Sequence, residues 1–264
     1  MEISLKGQTA LVTGGATGLG KVTALKLAEA GANVVMTSRF EKNFEWITNV
    51  RPDLKARLFP RCNDVTLDHE LRSLSDNIKA NFGDLDVLIN NVGHTLGVTD
   101  PYTDLSGWKQ VIDLNLLSHI GVTNTFIDGM KRKGYGRIVN ITSIAGLEVS
   151  GPAPFNVSKA ALTAYTRSVG RLLAIESPGI VMSAVAPGIV VTEGGHWQKV
   201  LENNPEHAEK YLKERSALGR FGTEEEVTDI VVFLASAKAS FFHGSIIQVD
   251  GGQSRHYMYH NFMD

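Results

Sequence analysis

Seven short runs rich in β-branched and other apolar residues punctuate the chain and predict strands: Thr9–Val12, Asn33–Thr37, Leu58–Cys62, Val87–Asn90, Arg137–Ile141, Ile180–Val185 and Ile246–Val249. Between them, Lys21–Ala30, Leu67–Phe82, Trp108–Arg132 and Ala153–Glu176 carry apolar residues at three- and four-residue spacing, the pattern of a helix with one buried face. Strands that alternate with helices imply right-handed βαβ crossovers. The expected fold class is therefore α/β, a Rossmann-type, doubly wound, parallel seven-stranded sheet flanked by helices. There is no internal repeat or low-complexity segment, and one stretch breaks the rhythm. Residues 193–218 are polar, begin at Glu193-Gly194-Gly195 and fall between two strands near the carboxyl edge of the sheet, where open α/β folds bind ligands. This stretch is read as a mobile substrate lid, with a plain surface excursion as the alternative.

A length of 264 residues with 43% hydrophobic content suffices for one large core, and no shift in composition marks a second unit, so residues 1–264 are expected to form a single domain. The net charge of −2 and the dispersed basic residues argue against nucleic acid as a partner. The N-terminus lacks the apolar core of a signal peptide, and no apolar run approaches the ~18 residues of a membrane span. A soluble, cytoplasmic protein that does not engage membranes is expected. Cys62 is the only cysteine, which excludes a disulfide within the chain, and its apolar-flanked run reads as a small buried residue. No metal site is expected, because His256, His260 and Asp264 are loosely spaced in the tail and lack the fixed spacing of known ligand sets.

The candidate chemistry begins at Thr13-Gly14-Gly15-Ala16-Thr17-Gly18-Leu19-Gly20. This turn follows a buried strand and opens an amphipathic helix, so the backbone can approach a pyrophosphate while the helix N-terminus favours its charge. At the end of the second strand an acidic side chain would accept from the adenosine ribose and repel a 2′-phosphate. The chain instead reads Met36-Thr37-Ser38-Arg39. Arg39 can stack on adenine and pair with a 2′-phosphate, and Ser38 can donate to it, which favours NADP(H) and leaves NAD(H) open. Arg39 as a plain solvated strand end is the competing reading.

The spacing Thr13-Gly14-x-x-x-Gly18-x-Gly20 resembles the short-chain dehydrogenase/reductase family. So do Asn63-Asp64-Val65, Asn90-Asn91-Val92-Gly93, Phe155-Asn-Val-Ser-Lys159 with Ser143 upstream, Pro187-Gly188-Ile-Val-Val-Thr192, Leu218–Val227 and Val249-Asp-Gly-Gly252. The resemblance spans about residues 5 to 253. It implies that Gly14, Thr17, Gly18, Leu19 and Gly20 meet the cofactor's phosphates and ribose, that Asp64 and Val65 line the adenine, and that Asn91, Val92 and Gly93 form the turn beside the cofactor. Val92 stands where the family has alanine. Pro187, Gly188, Val190 and Thr192 would seat the nicotinamide, with Thr192 bonding its carboxamide. In the family's relay a serine polarises the substrate oxygen and a tyrosine passes the proton, while a lysine lowers the tyrosine pKa and holds the ribose, and a helix asparagine supports a water chain. Ser143, Lys159 and Asn115 match three of these positions.

Phe155 occupies the tyrosine position and has no hydroxyl. Spaced four residues from Lys159, it shares that residue's helix face. The sequence thus reads as an NAD(P)-dependent oxidoreductase that interconverts a secondary alcohol and a ketone, with its proton transfer disabled. Either an active enzyme has been knocked out by a Tyr→Phe replacement, or a natural member has lost or rerouted its chemistry; retention of Ser143, Lys159 and Asn115 favours the first. The reading from a different class is a non-catalytic dinucleotide-binding sensor or assembly protein. His94 after the Asn-Asn-Val-Gly turn is a candidate alternative proton donor or substrate contact. Glu148, Ser150, His196, Trp197 and Gln198 would give the pocket a polar lining, suited to a polar small molecule such as a sugar derivative. The resemblance also implies a homotetramer, with a homodimer as the alternative, built through the helices at Trp108–Arg132 and Ala153–Glu176. The aromatic-rich tail, residues 254–264, is expected to dock on a neighbouring surface.

Overall fold

A computed structural model describes residues 2–254. Seven strands, β1 (Thr9–Val12), β2 (Asn33–Ser38), β3 (Leu58–Cys62), β4 (Val87–Asn90), β5 (Gly136–Ile141), β6 (Ile180–Pro187) and β7 (Ile246–Val249), form one sheet in the order β3-β2-β1-β4-β5-β6-β7. Every pairing is parallel. The central strands β1, β4, β5 and β6 are buried along their whole length, which is why they read as continuous apolar runs with little alternation. The chain winds outward from β1 through β2 to β3, then returns to place β4 on the other side of β1. That reversal opens a crevice at the carboxyl ends of β1 and β4, the switch point of a doubly wound sheet.

The helices are α1 (Gly18–Glu29), α2 (Pro52–Lys55), α3 (Asp68–Phe82), α4 (Leu105–Ile112), α5 (Ser118–Lys133), α6 (Ala153–Glu176), α7 (His196–Asn203), α8 (Pro205–Arg215) and α9 (Glu224–Ala235). Side chains alternate across the sheet with the strand period of two. Val12, Met36, Ile89 and Val139 join Leu27 of α1 and Val231 of α9 in one core, and Leu11, Val35, Leu88 and Ile138 join Leu74 and Ile78 of α3, Phe126 of α5 and Leu173 of α6 in the other. A capping box fixes the start of α9: Thr223 Oγ1 accepts from the Glu226 N–H, and the Glu226 carboxylate accepts from the Thr223 N–H and pairs with Arg220.

Two expectations are corrected, for the Trp108–Arg132 helix and for Cys62, and one stretch that had no predicted element proves to hold helices. The segment expected to be one helix over Trp108–Arg132 is α4, a π-turn at Asp113–Leu117 and α5. The wider turn adds a residue without ending the helix, so apolar periodicity runs through it, and such turns recur at functional sites. The residues from 193 to 218 hold two short helices, α7 and α8, the second capped by Asn204 Oδ1, which accepts from the His207 N–H. Cys62 is exposed, not buried. It ends the edge strand β3, whose side chains alternate in burial, and its thiol donates to the Arg39 carbonyl at 3.3 Å. A 3₁₀ segment, Glu41–Asn49, buries Phe44 and Ile47 and has no counterpart in the sequence reading. Among the described residues no helix is long and apolar enough to cross a membrane.

Candidate active site

The glycine-rich turn is tied to the turn after β4 on the far side of the crevice. Thr13 Oγ1 accepts from the Asn91 N–H at 2.9 Å, and Asn91 Nδ2 donates to the carbonyls of Thr13 (3.0 Å) and Gly14 (3.3 Å). Gly14 and Gly18 have φ of +63° and +54°, left-handed values that disfavour a side chain. A Cβ at Gly20 would lie 2.2 Å from the Gly14 carbonyl oxygen, so the start of α1 closes directly against the turn. Thr17, the residue before α1, makes no side-chain cap, which leaves first-turn N–H groups for an acceptor from outside the chain. Trp46 Nε1 donates to the Ala16 carbonyl at 2.9 Å and braces the turn from the 3₁₀ segment. This brace lay outside every periodic segment of the sequence.

At the outer end of the crevice Arg39 is exposed, with its guanidinium 5.7 Å from the centre of the Phe40 ring. Ser38 Oγ accepts from the Phe40 N–H (3.3 Å) and from Asn43 Nδ2 (3.0 Å), leaving its own hydrogen to donate. Asp64 Oδ1 accepts from the N–H and hydroxyl of Thr66, and the neighbouring Val65 is buried.

At the inner end three elements converge. Lys159 of α6 is 3% exposed, and its Nζ donates to the Ile141 carbonyl at the end of β5 at 2.9 Å. Asn115, in the π-turn, accepts from the His94 N–H (3.0 Å) and donates to the carbonyls of His94 and Val111 (both 2.8 Å). A Cβ at Gly93 would lie 2.9 Å from both Asn115 Oδ1 and Lys159 Nζ, so only glycine admits both side chains at that point. Ser143 Oγ accepts from the Ala145 N–H at 3.1 Å, and the adjacent Gly146 packs so tightly on α6 that its Cβ would lie 2.6 Å from the Lys159 carbonyl oxygen. The half-buried Phe155 ring sits one helical turn before Lys159, its centre 5.7 Å from Nζ.

Burial holds the Lys159 pKa down from 10.5 to about 7. Between pH 7 and 10.5 the unfolded chain therefore binds more protons here than the folded one, and this group's contribution makes stability rise with pH across that window. Denaturant unfolding at several pH values is expected to show that rise flattened in Lys159→Met; equal slopes in both proteins would refute it.

His119, on α5 behind the Asn91–Gly93 turn, escaped the sequence reading because it lies on an apolar helix face. It is 1% exposed; Nε2 donates to the Val92 carbonyl at 2.6 Å, and Nδ1 has no partner. Burial, and then the charge of Lys159, hold its pKa down to about 3, so the ring is neutral and braces Val92. His94 is exposed, and its Nδ1 accepts from the Leu96 N–H at 2.8 Å.

Beyond β6, the Ile189 N–H donates to Gln253 Oε1 (2.8 Å), Gly222 N–H to the Ile189 carbonyl (2.9 Å) and Val191 N–H to the Gly222 carbonyl (3.2 Å), which fixes the segment holding Gly188, Val190 and Thr192. Pro187 is the last, buried residue of β6. Trp197 of α7 packs on Tyr211 of α8 and on Phe221, at ring separations of 4.4 and 5.1 Å, and the exposed His196 lies edge-on to it. Tyr211 Oη accepts from Gln253 Nε2 at 3.0 Å. Glu148 Oε2 accepts from the Ser254 hydroxyl at 3.3 Å. Trp197 and Glu148 are thus anchored to neighbours at the rim. The docking expected of the tail, and His256, His260 and Asp264, lie outside the described residues.

The family model described as enoyl-(acyl carrier protein) reductase matches residues 14–254. The chain belongs to the short-chain dehydrogenase/reductase family. A curated family relative, the 3-oxoacyl-[acyl-carrier-protein] reductase of Thermotoga maritima, is 32% identical over 249 residues, covering 94% of this chain and 98% of that protein. Two solved structures of the family superpose over nearly the whole chain. One is 7α-hydroxysteroid dehydrogenase complexed with NADH and 7-oxo glycochenodeoxycholic acid (TM-score 0.86, 27% identity, 96% of this chain and 97% of that one). The other is a Pseudomonas aeruginosa RhlG/NADP active-site complex (TM-score 0.84, 28% identity, 95% and 98%). The seven-stranded parallel sheet flanked by helices is the architecture this chain shares with them.

Proposed function

We propose that the chain binds NADP(H) in the crevice and that its scaffold interconverts a secondary alcohol and a ketone on a polar small molecule, with proton transfer disabled at Phe155. The observation that carries this reading is the convergence of Gly93, Asn115 and Lys159 beside the Phe155 ring, at the inner end of the glycine-turn crevice. The residues present fit a dinucleotide: the closely packed turn Gly14–Gly20, uncapped N–H groups at α1, Ser38 and Arg39 without an acid at the strand end, and a fixed seat at residues 187–192. When bound, the nicotinamide supplies or accepts the hydride. The chain's own residues do the rest. Ser143 orients the substrate oxygen, Lys159 holds the ribose and maintains local positive charge, and Asn115 fixes the turn at His94. The position that should carry the transferable proton holds a hydrocarbon ring.

That missing hydroxyl also supports a second reading, a dinucleotide-binding sensor or assembly protein with no turnover. Exposed Leu117, Val157, Leu172 and Ile175, on the π-turn and α6, support assembly of identical chains through these helices.

Titration of NADPH and NADH fluorescence, followed by oxidation assays over keto-sugars, keto-acids and simple ketones, tests the proposal. NADPH is expected to bind more tightly than NADH, and Arg39→Asp to reverse the order; removal of one charge-assisted hydrogen bond is equivalent to roughly a tenfold fall in affinity. Failure of both dinucleotides to bind would overturn it, and an unchanged preference in Arg39→Asp would remove Arg39 from cofactor selection.

A further inference from the structure

Glu224 stands on the wall of the glycine-rich turn. It is the first residue of α9, and the capping box and Arg220 pair hold that helix end in place. A Cβ at Gly18 would lie 3.6 Å from Thr192 Cβ and 3.8 Å from Glu224 Oε1, so this carboxyl oxygen shares one side of the turn with Thr192. Oε1 is buried and has no hydrogen-bond partner. A buried, unpartnered carboxyl oxygen beside a turn shaped for phosphate is unusual on two counts. It lacks the partner that buried polar atoms normally have, and its ionised form would repel the anion the turn is built to receive.

Protonation resolves both. A carboxylic acid has an O–H to donate, and a phosphate oxygen is its natural acceptor. Resting on the dinucleotide reading above, we propose that Glu224 binds the cofactor's diphosphate bridge as a protonated hydrogen-bond donor, so that cofactor binding takes up one proton from solvent.

The charged groups around Glu224 leave it without a dedicated counter-ion. From α1, Lys21 reaches the site, but its Nζ lies 2.6 Å from Glu193 Oε2 and 5.4 Å from the centre of the Trp46 ring. Lys26, also on α1, pairs with Asp229 further along α9, and Arg220 pairs with Glu226. Burial and then the Glu225 carboxylate push the Glu224 pKa up, with Glu193 adding to them; the Glu193 backbone and Lys21 oppose the rise without reversing it.

The test is NADPH binding to the whole chain and to Glu224→Gln between pH 5.5 and 8.5, by fluorescence and by calorimetry in two buffers of different ionisation heat. The 2′-phosphate of NADPH also titrates near pH 6, but equally for both proteins, so the difference between them isolates Glu224. The native chain is expected to take up about one proton more than Glu224→Gln, and its affinity to steepen by up to about tenfold per pH unit relative to that of the variant. Glutamine keeps a donor and carries no charge, so the variant should bind at least as tightly at pH 8. Equal proton uptake by both proteins, or weaker binding by Glu224→Gln at pH 8, would overturn the inference while leaving the dinucleotide reading intact. No binding of NADPH or NADH to the native chain at any pH would overturn the reading itself. Should Glu224→Gln fail to melt cooperatively, Glu224→Ala supplies the comparison: about one proton less taken up than by the native chain supports the inference, and equal uptake refutes it.

Discussion

Phe155→Tyr is expected to raise ketone reduction by NADPH about 10² to 10⁴-fold, the usual contribution of a positioned general acid. The geometry needed for the gain is already present. The ring sits on α6 one turn before Lys159, 5.7 Å from its Nζ, and a para hydroxyl extends it by a single atom without a change of helix register. The ring is half-buried, and Lys159 in its protonated form would stabilise the phenolate formed when the proton leaves. The gain should fall mainly on kcat, because the hydroxyl acts in the transition state, and NADPH affinity should stay within a few-fold. Adding Ser143→Ala to the revertant should remove most of the gain. A revertant that binds NADPH and turns over nothing in a broad panel would favour the sensor reading. A native chain that already turns over as fast as the revertant, and loses that activity in His94→Ala, would mean that the proton travels by another route.

Gly20→Ala is expected to cripple dinucleotide binding through a single methyl group. The new Cβ would lie 2.2 Å from the Gly14 carbonyl oxygen and 2.6 Å from Asn91 Nδ2, neither of which is the free end of a flexible chain: one is backbone and the other is held by bonds to Thr13 and Gly14. The turn must open. Overpacking of this kind costs about 1–3 kcal/mol, and the same displacement at the phosphate site is equivalent to roughly a tenfold to hundredfold fall in NADPH affinity. Gly134→Ala is the matched control. That glycine has φ +64° and nothing within 4 Å of its Cβ, so alanine there should cost about 1–2 kcal/mol of stability through strain and leave NADPH binding unchanged. Parallel melting and NADPH titration separate the two, and equal NADPH affinity in both variants would show that the close approach at Gly20 is not needed for binding.

Much of this fold was legible because the sheet is parallel and deeply buried. Short runs rich in β-branched and other apolar residues match the bounds of β1, β3, β4 and β7, and the Ala153–Glu176 helix follows from its periodicity, which in turn places Phe155 and Lys159 on one face. What escaped is structure whose cause is non-local. Trp46 braces the glycine turn from a segment with no period of its own, and the π-turn at Asn115 hides inside a continuous helical pattern. Cys62 reads as buried from its apolar flanks, and only the strand order reveals that β3 is an edge. His119 and Glu224 look like ordinary helix residues until the packing shows one buried behind Val92 and the other turned toward Gly18. The family resemblance supplied positions such as Thr192 that no local pattern would single out.

Gln253 bridges two parts of the chain. Its Oε1 holds the Ile189 N–H on the floor of the crevice, and its Nε2 reaches the Tyr211 hydroxyl on α8. Loss of the Tyr211 bond leaves Gln253 Oε1 on the Ile189 N–H, and the segment at residues 187–192 keeps its bonds to Gly222 as well. One amide thus couples α8 to the floor of the crevice through two separable bonds, so a change at Tyr211 need not be felt at Ile189.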